Sequence, residues 1–394
     1  MEKIEEILNR GVTDVIVKSN LQKALKEKRK LRVKYGIDPT GARVHIGHAV
    51  PIWKLRDFQD LGHQIVLILG DFTAQIGDTS DKTAERKPLT FEEVQANMKT
   101  YLDQIGKILD LKKTEIRYNS EWHGKASKQD LLSEAMNFTV NQMIQRDNFK
   151  QRFEADKPIG LHEFLYPLLQ GYDSVAVKAD VEIGGNDQYF NLLAGRTLQK
   201  RFGQKEQDIM TFALLEGSDG RKMSKSYGNC IFINDEPNEI FGKAMAVDDR
   251  LIVQYMTLAT DIDMNEVEKV RRNLEQGSNP RDAKVKLAWN LVKRYYDGKE
   301  AGKAQENFEK TFVKKETPDA VDEVAVIDKN WPVADLLHFT KMVSSKSEAR
   351  RLIDQGGVKV DGAVIGDREA TIRPQDDMII QVGKRKFIKI ILDK

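Results

Sequence analysis

The chain has 394 residues, 40% hydrophobic and 31% charged, with 63 Lys/Arg against 61 Asp/Glu, which suits a soluble globular protein of two or three domains and excludes a wholly polycationic one. One cysteine, Cys230, excludes an internal disulfide and a multi-cysteine zinc site and fits a reducing, cytoplasmic setting. No apolar run approaches the ~18 residues of a membrane span, and the opening Met-Glu-Lys-Ile-Glu-Glu lacks signal-peptide order.

Residues 4–30 read as helical, with Ile4, Ile7, Leu8, Val15, Leu21 and Leu25 as the apolar set. Leu31-Arg-Val-Lys-Tyr35 alternates as a short strand, and Gly36, Pro39 and Gly41 then force a tight turn. His45-Ile-Gly-His48 follows, with a helix expected over Ala49–Leu61. Two imidazoles at a helix N-terminus suit phosphate, and Gly47 lets a ligand approach the backbone closely. The same pattern also fits a surface loop with two incidental histidines. Ile65-Val-Leu-Ile-Leu69 is the uninterrupted apolar run of a strand buried on both faces. Strand, loop, helix and strand make a right-handed βαβ unit without a dinucleotide glycine fingerprint or a P-loop.

Gly70 to Leu89 is polar, with Asp71 and Asp78 near a strand's C-terminal end and Lys82, Arg86 and Lys87 on a charged loop. A helix over Thr90–Leu109, a strand near Glu115–Tyr118 and helices from Ser127 to Glu154 follow. In Leu165-Tyr-Pro-Leu-Leu-Gln-Gly-Tyr-Asp173, Pro167 opens a helix with Tyr166 at its mouth, and Gln170 and Asp173 share a face. Polar groups on an otherwise apolar helix mark either a solvated face or a pocket wall. Val181-Glu-Ile-Gly-Gly-Asn-Asp-Gln188 places glycines after another strand, with Asp187 and Gln188 facing the same cleft. In Gly220-Arg-Lys-Met-Ser-Lys-Ser226, two lysines three apart on a glycine-flanked loop can clamp polyphosphate.

His45-Ile-Gly-His48 together with Lys222-Met-Ser-Lys-Ser226 resembles the paired signature of class I aminoacyl-tRNA synthetases. Tyr166-x-x-x-Gln170-x-x-Asp173 and Gly184-Gly-Asn-Asp-Gln188 narrow the resemblance to the tyrosyl-tRNA synthetases of bacterial type, over essentially the whole chain. The resemblance implies an α/β fold: a Rossmann-like parallel-sheet catalytic domain (1–232), an α-helical anticodon-recognition domain with linker (233–328) and a small α+β RNA-binding domain with the alpha-L motif (329–394). It implies tyrosine–tRNA ligation, with ATP, L-tyrosine and tRNA(Tyr) as partners, Mg²⁺ arriving with ATP, and a homodimer. Thr40, His45 and His48 match positions that bind ATP phosphates. Lys222 and Lys225 match the lysines that hold pyrophosphate, with Met223 and Ser224 between them. Lys82 and Arg86 match the cations that close over it. Asp173 matches the acceptor of the substrate's phenolic hydroxyl, and Tyr166, Gln170 and Asp78 match ligands of its ammonium group. Asp187 matches a ribose contact beside Gly185, Gln188 lines the site, and Gly36, Asp38 and Gly47 lie along the adenylate.

Two positions depart from the pattern. Lys34 stands where the family often has a tyrosine as second partner of the phenol, and Asp81 where glycine is usual. A tryptophanyl-type enzyme and a catalytically inactive RNA-binding paralogue share parts of the pattern. Asp173 argues against the first, and intact His45, His48, Lys222 and Lys225 against the second.

From Asn234 the chain reads as helical, with Asn279-Pro280 a helix start and Glu316–Asp328 an acidic linker. Residues 341–394 carry 12 Lys/Arg against 8 Asp/Glu, a basic tail suited to an anionic partner. Pro332–Thr340 forms a helix, Ser345 and Glu348 are spaced as a capping box, and Gly356-Gly-Val-Lys-Val-Asp-Gly362 signals a hairpin. By the resemblance, Lys346, Arg350 and Arg351 face RNA phosphate.

Overall fold

The computed structural model describes residues 2–78, 89–224, 227–313, 322–383 and 386–393. They form two compact units, 1–301 and 302–394.

The first unit is built on a six-stranded sheet of β1 (Val12–Ile16), β2 (Arg32–Ile37), β3 (Gln64–Leu69), β4 (Thr114–Tyr118), β5 (Val181–Gly185) and β6 (Asp208–Phe212). Its order is β1-β6-β5-β2-β3-β4, with every pair parallel except β1 with β6. Ile65 to Leu69 are at most 1% exposed, which is why β3 reads as a continuous apolar run. From β2 the chain crosses to β3 on one side, and β5 flanks β2 on the other. The loops after β2 and β5 therefore diverge and leave a crevice at the carboxyl ends of the strands.

Two local expectations change. Residues 4–30 are not one helical stretch: helices Glu2–Asn9 and Lys18–Lys26 flank β1. β1 is an edge strand whose ladder bonds come from β6, with a register shift between Val12 and Asp14, so its signal is tertiary. The helix after the histidine segment begins at Ile46 rather than Ala49, because His45 serves as its N-cap. Helices between Pro237 and Ala301 belong to the same unit as the sheet. There Arg294 stacks 4.3 Å over Trp53, and Trp53 Nε1 donates to the Tyr295 hydroxyl at 3.4 Å.

The second unit carries a five-stranded sheet and helices Val333–Phe339 and Lys346–Asp354, which sandwich a core including Leu336, Leu337, Ile353 and Ile390. Residues 322–327, placed by sequence at the end of an acidic linker, form a strand parallel to Lys386–Asp393. Val324 and Val326 turn inward while Glu323 stays exposed and pairs with Lys389 at 2.6 Å. The hairpin at 358–364 turns on Asp361 and Gly362, both with positive φ, the requirement of a type I′ turn. Ser345 caps its helix through the Glu348 N–H, but Glu348 reaches back to the Ser344 N–H at 2.7 Å rather than to the cap residue. Lys346, Arg350 and Arg351 are exposed opposite buried Ala349 and Ile353; Lys346 pairs with Asp335 at 2.9 Å.

Candidate active site

A cavity of about 300 Å³ opens at the carboxyl edge of the sheet, in the crevice between the β2 and β5 loops. Its wall contains Gly36 near the end of β2, Asp38, Thr40, His45, Gly47 and His48 from beyond β2, and Asp78 from beyond β3. Gly185 ends β5 and Asp187 and Gln188 follow it, Lys222 and Met223 come from beyond β6, and Tyr166, Gln170 and Asp173 lie on one helix, Tyr166–Val177. Segments separated by about 180 residues in sequence thus share one wall. Ser224 adjoins it, its N–H held by Asn229 Oδ1 at 2.9 Å. Lys82, Arg86, Asp81 and Lys225 lie outside the described residues.

The histidine segment is tied to the stretch that follows the lysine segment. Ile46 N–H donates to the Ile231 carbonyl at 2.9 Å, and Ile233 N–H to the Val44 carbonyl at 3.1 Å. A Cβ on Gly47 would lie 3.1 Å from His45 Nδ1 and 3.4 Å from Met223 Sδ, so this glycine lets the two segments close on each other. His45 Nδ1 accepts the His48 N–H at 3.3 Å, and the two imidazoles stack with centroids 3.7 Å apart. Both rings therefore stand over the first turn of the helix, where N–H dipoles favour a phosphate.

The cavity wall is also rich in carboxylates. Asp38 accepts from the Tyr166 hydroxyl at 2.9 Å and from Thr73 Oγ1 at 2.7 Å. Gly70 is required beneath it, because a Cβ there would fall 2.0 Å from Asp38 Oδ1. Burial, then the charge of Asp38, raises the Tyr166 pKa well above that of an ordinary phenol, so it stays protonated as a donor. Asp78 accepts from Gln188 Nε2 at 2.6 Å and faces Arg146 at 3.7 Å. Asp173 is 3% exposed, and its Oδ1 accepts from Trp122 Nε1 and is bonded to His123 Nε2, each at 2.8 Å.

Sequence reading passed over Asn119, Trp122 and His123. The available signal was their position immediately after β4, at the ligand-bearing edge of the sheet. It also passed over Tyr35, a cavity-wall residue whose buried phenol titrates well above its usual range through burial, Tyr101 and Asp187. Lys34 is fully buried in an ion pair with Glu182 at 2.9 Å.

Glu134 is buried within electrostatic reach of His123 and Asp173. Its Oε2 is buried without a hydrogen-bond partner among the described residues, and burial pushes its pKa to about 7 against the opposing influence of His123. A carboxyl with a raised folded-state pKa favours the fold when protonated. Its contribution is therefore complete below the unfolded value near 4.5 and is lost as pH rises toward about 7. Glu134→Gln, a permanent mimic of the protonated form, is expected to raise the melting temperature at pH 8 by a few degrees, for about 1–2 kcal/mol, and to have little effect at pH 4. Thermal melts of both proteins at the two pH values check this.

Among the described residues no group of three or more His, Cys, Asp or Glu side chains is arranged to hold a metal, and no helix is long and apolar enough to cross a membrane. Residues 26–313 match the family model of class I tRNA synthetases (W and Y), and residues 331–378 match the S4 domain. The tyrosine–tRNA ligase of Thermotoga maritima is 49% identical over 99% of this chain and 97% of its own length. That of Francisella tularensis is 46% identical over 98% of each. Among solved structures, the Archaeoglobus fulgidus tyrosyl-tRNA synthetase complexed with L-tyrosine superposes with a TM-score of 0.60 at 24% identity, over 77% of this chain and 98% of that one. The shared architecture, the two signature segments on one cavity wall and full-length identity near one half show that the chain belongs to the tyrosyl-tRNA synthetase family, class I with an S4 domain.

Proposed function

We propose that the chain activates L-tyrosine with ATP to give tyrosyl-adenylate and pyrophosphate, then passes the tyrosyl group to the 3′ end of its tRNA. One observation carries the reading: a single cavity is lined by two imidazoles and a lysine together with a buried carboxylate, Asp173. The tyrosine carboxylate, ionised at pH 7, attacks the α-phosphorus as the bond to the β-phosphate breaks. No general base or enzyme nucleophile is needed. The protein supplies orientation and positive charge where charge grows on the leaving phosphates. His45, His48, Thr40 and Lys222 have that task, with Lys225, Lys82 and Arg86 added by the family resemblance. Asp173 takes the phenolic hydroxyl. Tyr166, Gln170 and Asp78 take the ammonium group, Asp187 the ribose, and Gln188 lies beside the adenylate. Mg²⁺ enters with ATP, held on phosphate oxygens, and screens their charge. In the second step a ribose hydroxyl of the tRNA terminus attacks the tyrosyl carbonyl and AMP leaves. ATP–pyrophosphate exchange across the twenty amino acids tests the reading. Exchange dependent on tyrosine is expected, and exchange dependent on tryptophan instead would overturn the substrate.

Lys346, Arg350 and Arg351 serve tRNA phosphate in this reading. Contacts of that kind position RNA without reading its sequence. Replacing all three with alanine is expected to weaken tRNA binding by about tenfold or more. It should also flatten the slope of log affinity against log salt by about 0.9 per lost contact, read by filter binding across a salt series.

A homodimer is part of the same proposal. Leu132, Met136, Val140, Phe153 and Leu161 are 57–85% exposed, a concentration of large apolar surface within one span of chain. A second copy is the occupant that the family resemblance suggests. Met136→Glu combined with Leu161→Glu is expected to shift the sedimenting species from two copies to one. The compartment implied by a tRNA-charging role is the cytoplasm.

A further inference from the structure

Lys34 occupies the position at which the family pattern places a second partner for the phenol, yet its ammonium group is turned elsewhere. It is 0% exposed and donates to Glu182 Oε1 at 2.9 Å, to Ser174 Oγ at 2.8 Å and to the Gln170 carbonyl at 2.9 Å. These three acceptors match the three hydrogens of an ammonium group. Lys34 and Glu182 are register partners on adjacent parallel strands, β2 and β5, so the sheet itself fixes the pair.

The pair is the root of a chain of oriented amides. Glu182 Oε1 also accepts from Gln170 Nε2 at 3.3 Å, while Glu182 Oε2 accepts from Ser174 Oγ at 2.9 Å and Gln207 Nε2 at 2.5 Å. With its Nε2 committed to Glu182, Gln170 presents Oε1, which accepts Asn191 Nδ2 at 3.0 Å and keeps a second lone pair. Asn191 Nδ2 also donates to Gln188 Oε1 at 2.8 Å, and Gln188 Nε2 donates to Asp78. The Gln170 amide is therefore turned with its oxygen away from Glu182, as a cationic ligand requires, while Asn191 and Gln188 pass N–H groups along the series and the last of these anchors the Asp78 carboxylate.

We propose that Lys34 and Glu182 are positioning residues for the substrate's ammonium group: they fix the Gln170 amide and, through Asn191 and Gln188, the Asp78 carboxylate. This rests on the assignment of Gln170 and Asp78 to that ammonium group. Phenol recognition is left to Asp173, which shares no hydrogen bond with the Lys34 network among the contacts described above. The two charges neutralise each other, so exchanging both for neutral groups of similar size spares the fold, whereas removing one strands the other.

The test is the double variant Lys34→Met with Glu182→Gln, with steady-state exchange kinetics and inhibition by 3-(4-hydroxyphenyl)propionate, which is tyrosine without its amino group. The expected result is a tenfold or greater rise in KM for tyrosine. The KM for ATP, inhibition by the des-amino analogue and the preference for tyrosine over phenylalanine should stay within twofold. Glu182→Asp keeps the ion pair and withdraws the carboxylate from Gln170, and it is expected to show the same pattern more weakly should the double variant fail to fold. An unchanged KM for tyrosine in both variants, or a loss of discrimination against phenylalanine, overturns the proposal while leaving the ammonium assignment intact. A wild-type protein that binds the des-amino analogue as tightly as tyrosine overturns that assignment and the proposal with it.

Discussion

Asp173→Ala is expected to lower kcat/KM for tyrosine-dependent pyrophosphate exchange by on the order of 10²–10³, about 3–4 kcal/mol of lost interaction, with the KM for ATP little changed. One carboxylate oxygen is already engaged by Trp122 and His123, which leaves Oδ2 as the acceptor for a phenolic hydroxyl. A charged, water-excluded acceptor is worth more to a hydroxyl than a neutral one, and it penalises a substrate that arrives without a hydroxyl. Exchange with phenylalanine should therefore fall far less than exchange with tyrosine, so that the ratio between them collapses. Alanine also leaves the buried His123 group and the half-buried Trp122 N–H without this partner, at a cost of about 1–3 kcal/mol for a buried group, so a circular dichroism melt accompanies the kinetics. Asp173→Asn retains an acceptor for one of those donors and should fall between wild type and alanine. Wild-type tyrosine kinetics in the alanine variant would remove Asp173 from the substrate's hydroxyl.

What the chain disclosed in advance follows from where each signal resides. β3 was legible because five consecutive apolar residues have no other use at that length. The histidine segment was legible because glycines and a proline fix the turn locally, and Tyr166, Gln170 and Asp173 because helical spacing alone brings them to one face. β1 was hidden, since Val12-Thr-Asp-Val-Ile becomes a strand only when β6 supplies its ladder. Lys34 read as an anomaly because its partner is 148 residues away on β5, and only the sheet register discloses that the two are neighbours. His123 was hidden for the same reason: its partner Asp173 lies 50 residues on, in another element. Local chemistry, in short, pointed to the residues that meet ligand, while the residues that hold those in place are paired by topology.

His45 separates these two kinds of role within one side chain, which makes it the more demanding prediction. Its Nδ1 caps the helix by accepting the His48 N–H, and its ring stacks on His48 at the cavity wall beside Gly47 and Met223. Alanine would remove cap and imidazole together and confuse stability with catalysis. Asparagine is a strong N-cap residue with a side-chain oxygen close to the position of Nδ1, so His45→Asn should leave the melting temperature within about 2 °C of wild type. It lacks the rest of the ring, and with it the group that meets the phosphates in the transition state. Removal of one preorganised donor of this kind costs on the order of 10²–10³ in kcat. The expected outcome is that loss in exchange kcat with the KM for tyrosine within twofold, because Asp173 and the Gln170 amide are untouched. Pre-steady-state formation of tyrosyl-adenylate, followed by tryptophan fluorescence, isolates the step. If His45→Asn forms adenylate at the wild-type rate, the imidazole is only a cap, and stabilisation of the departing pyrophosphate must be reassigned to His48 and the lysine segment.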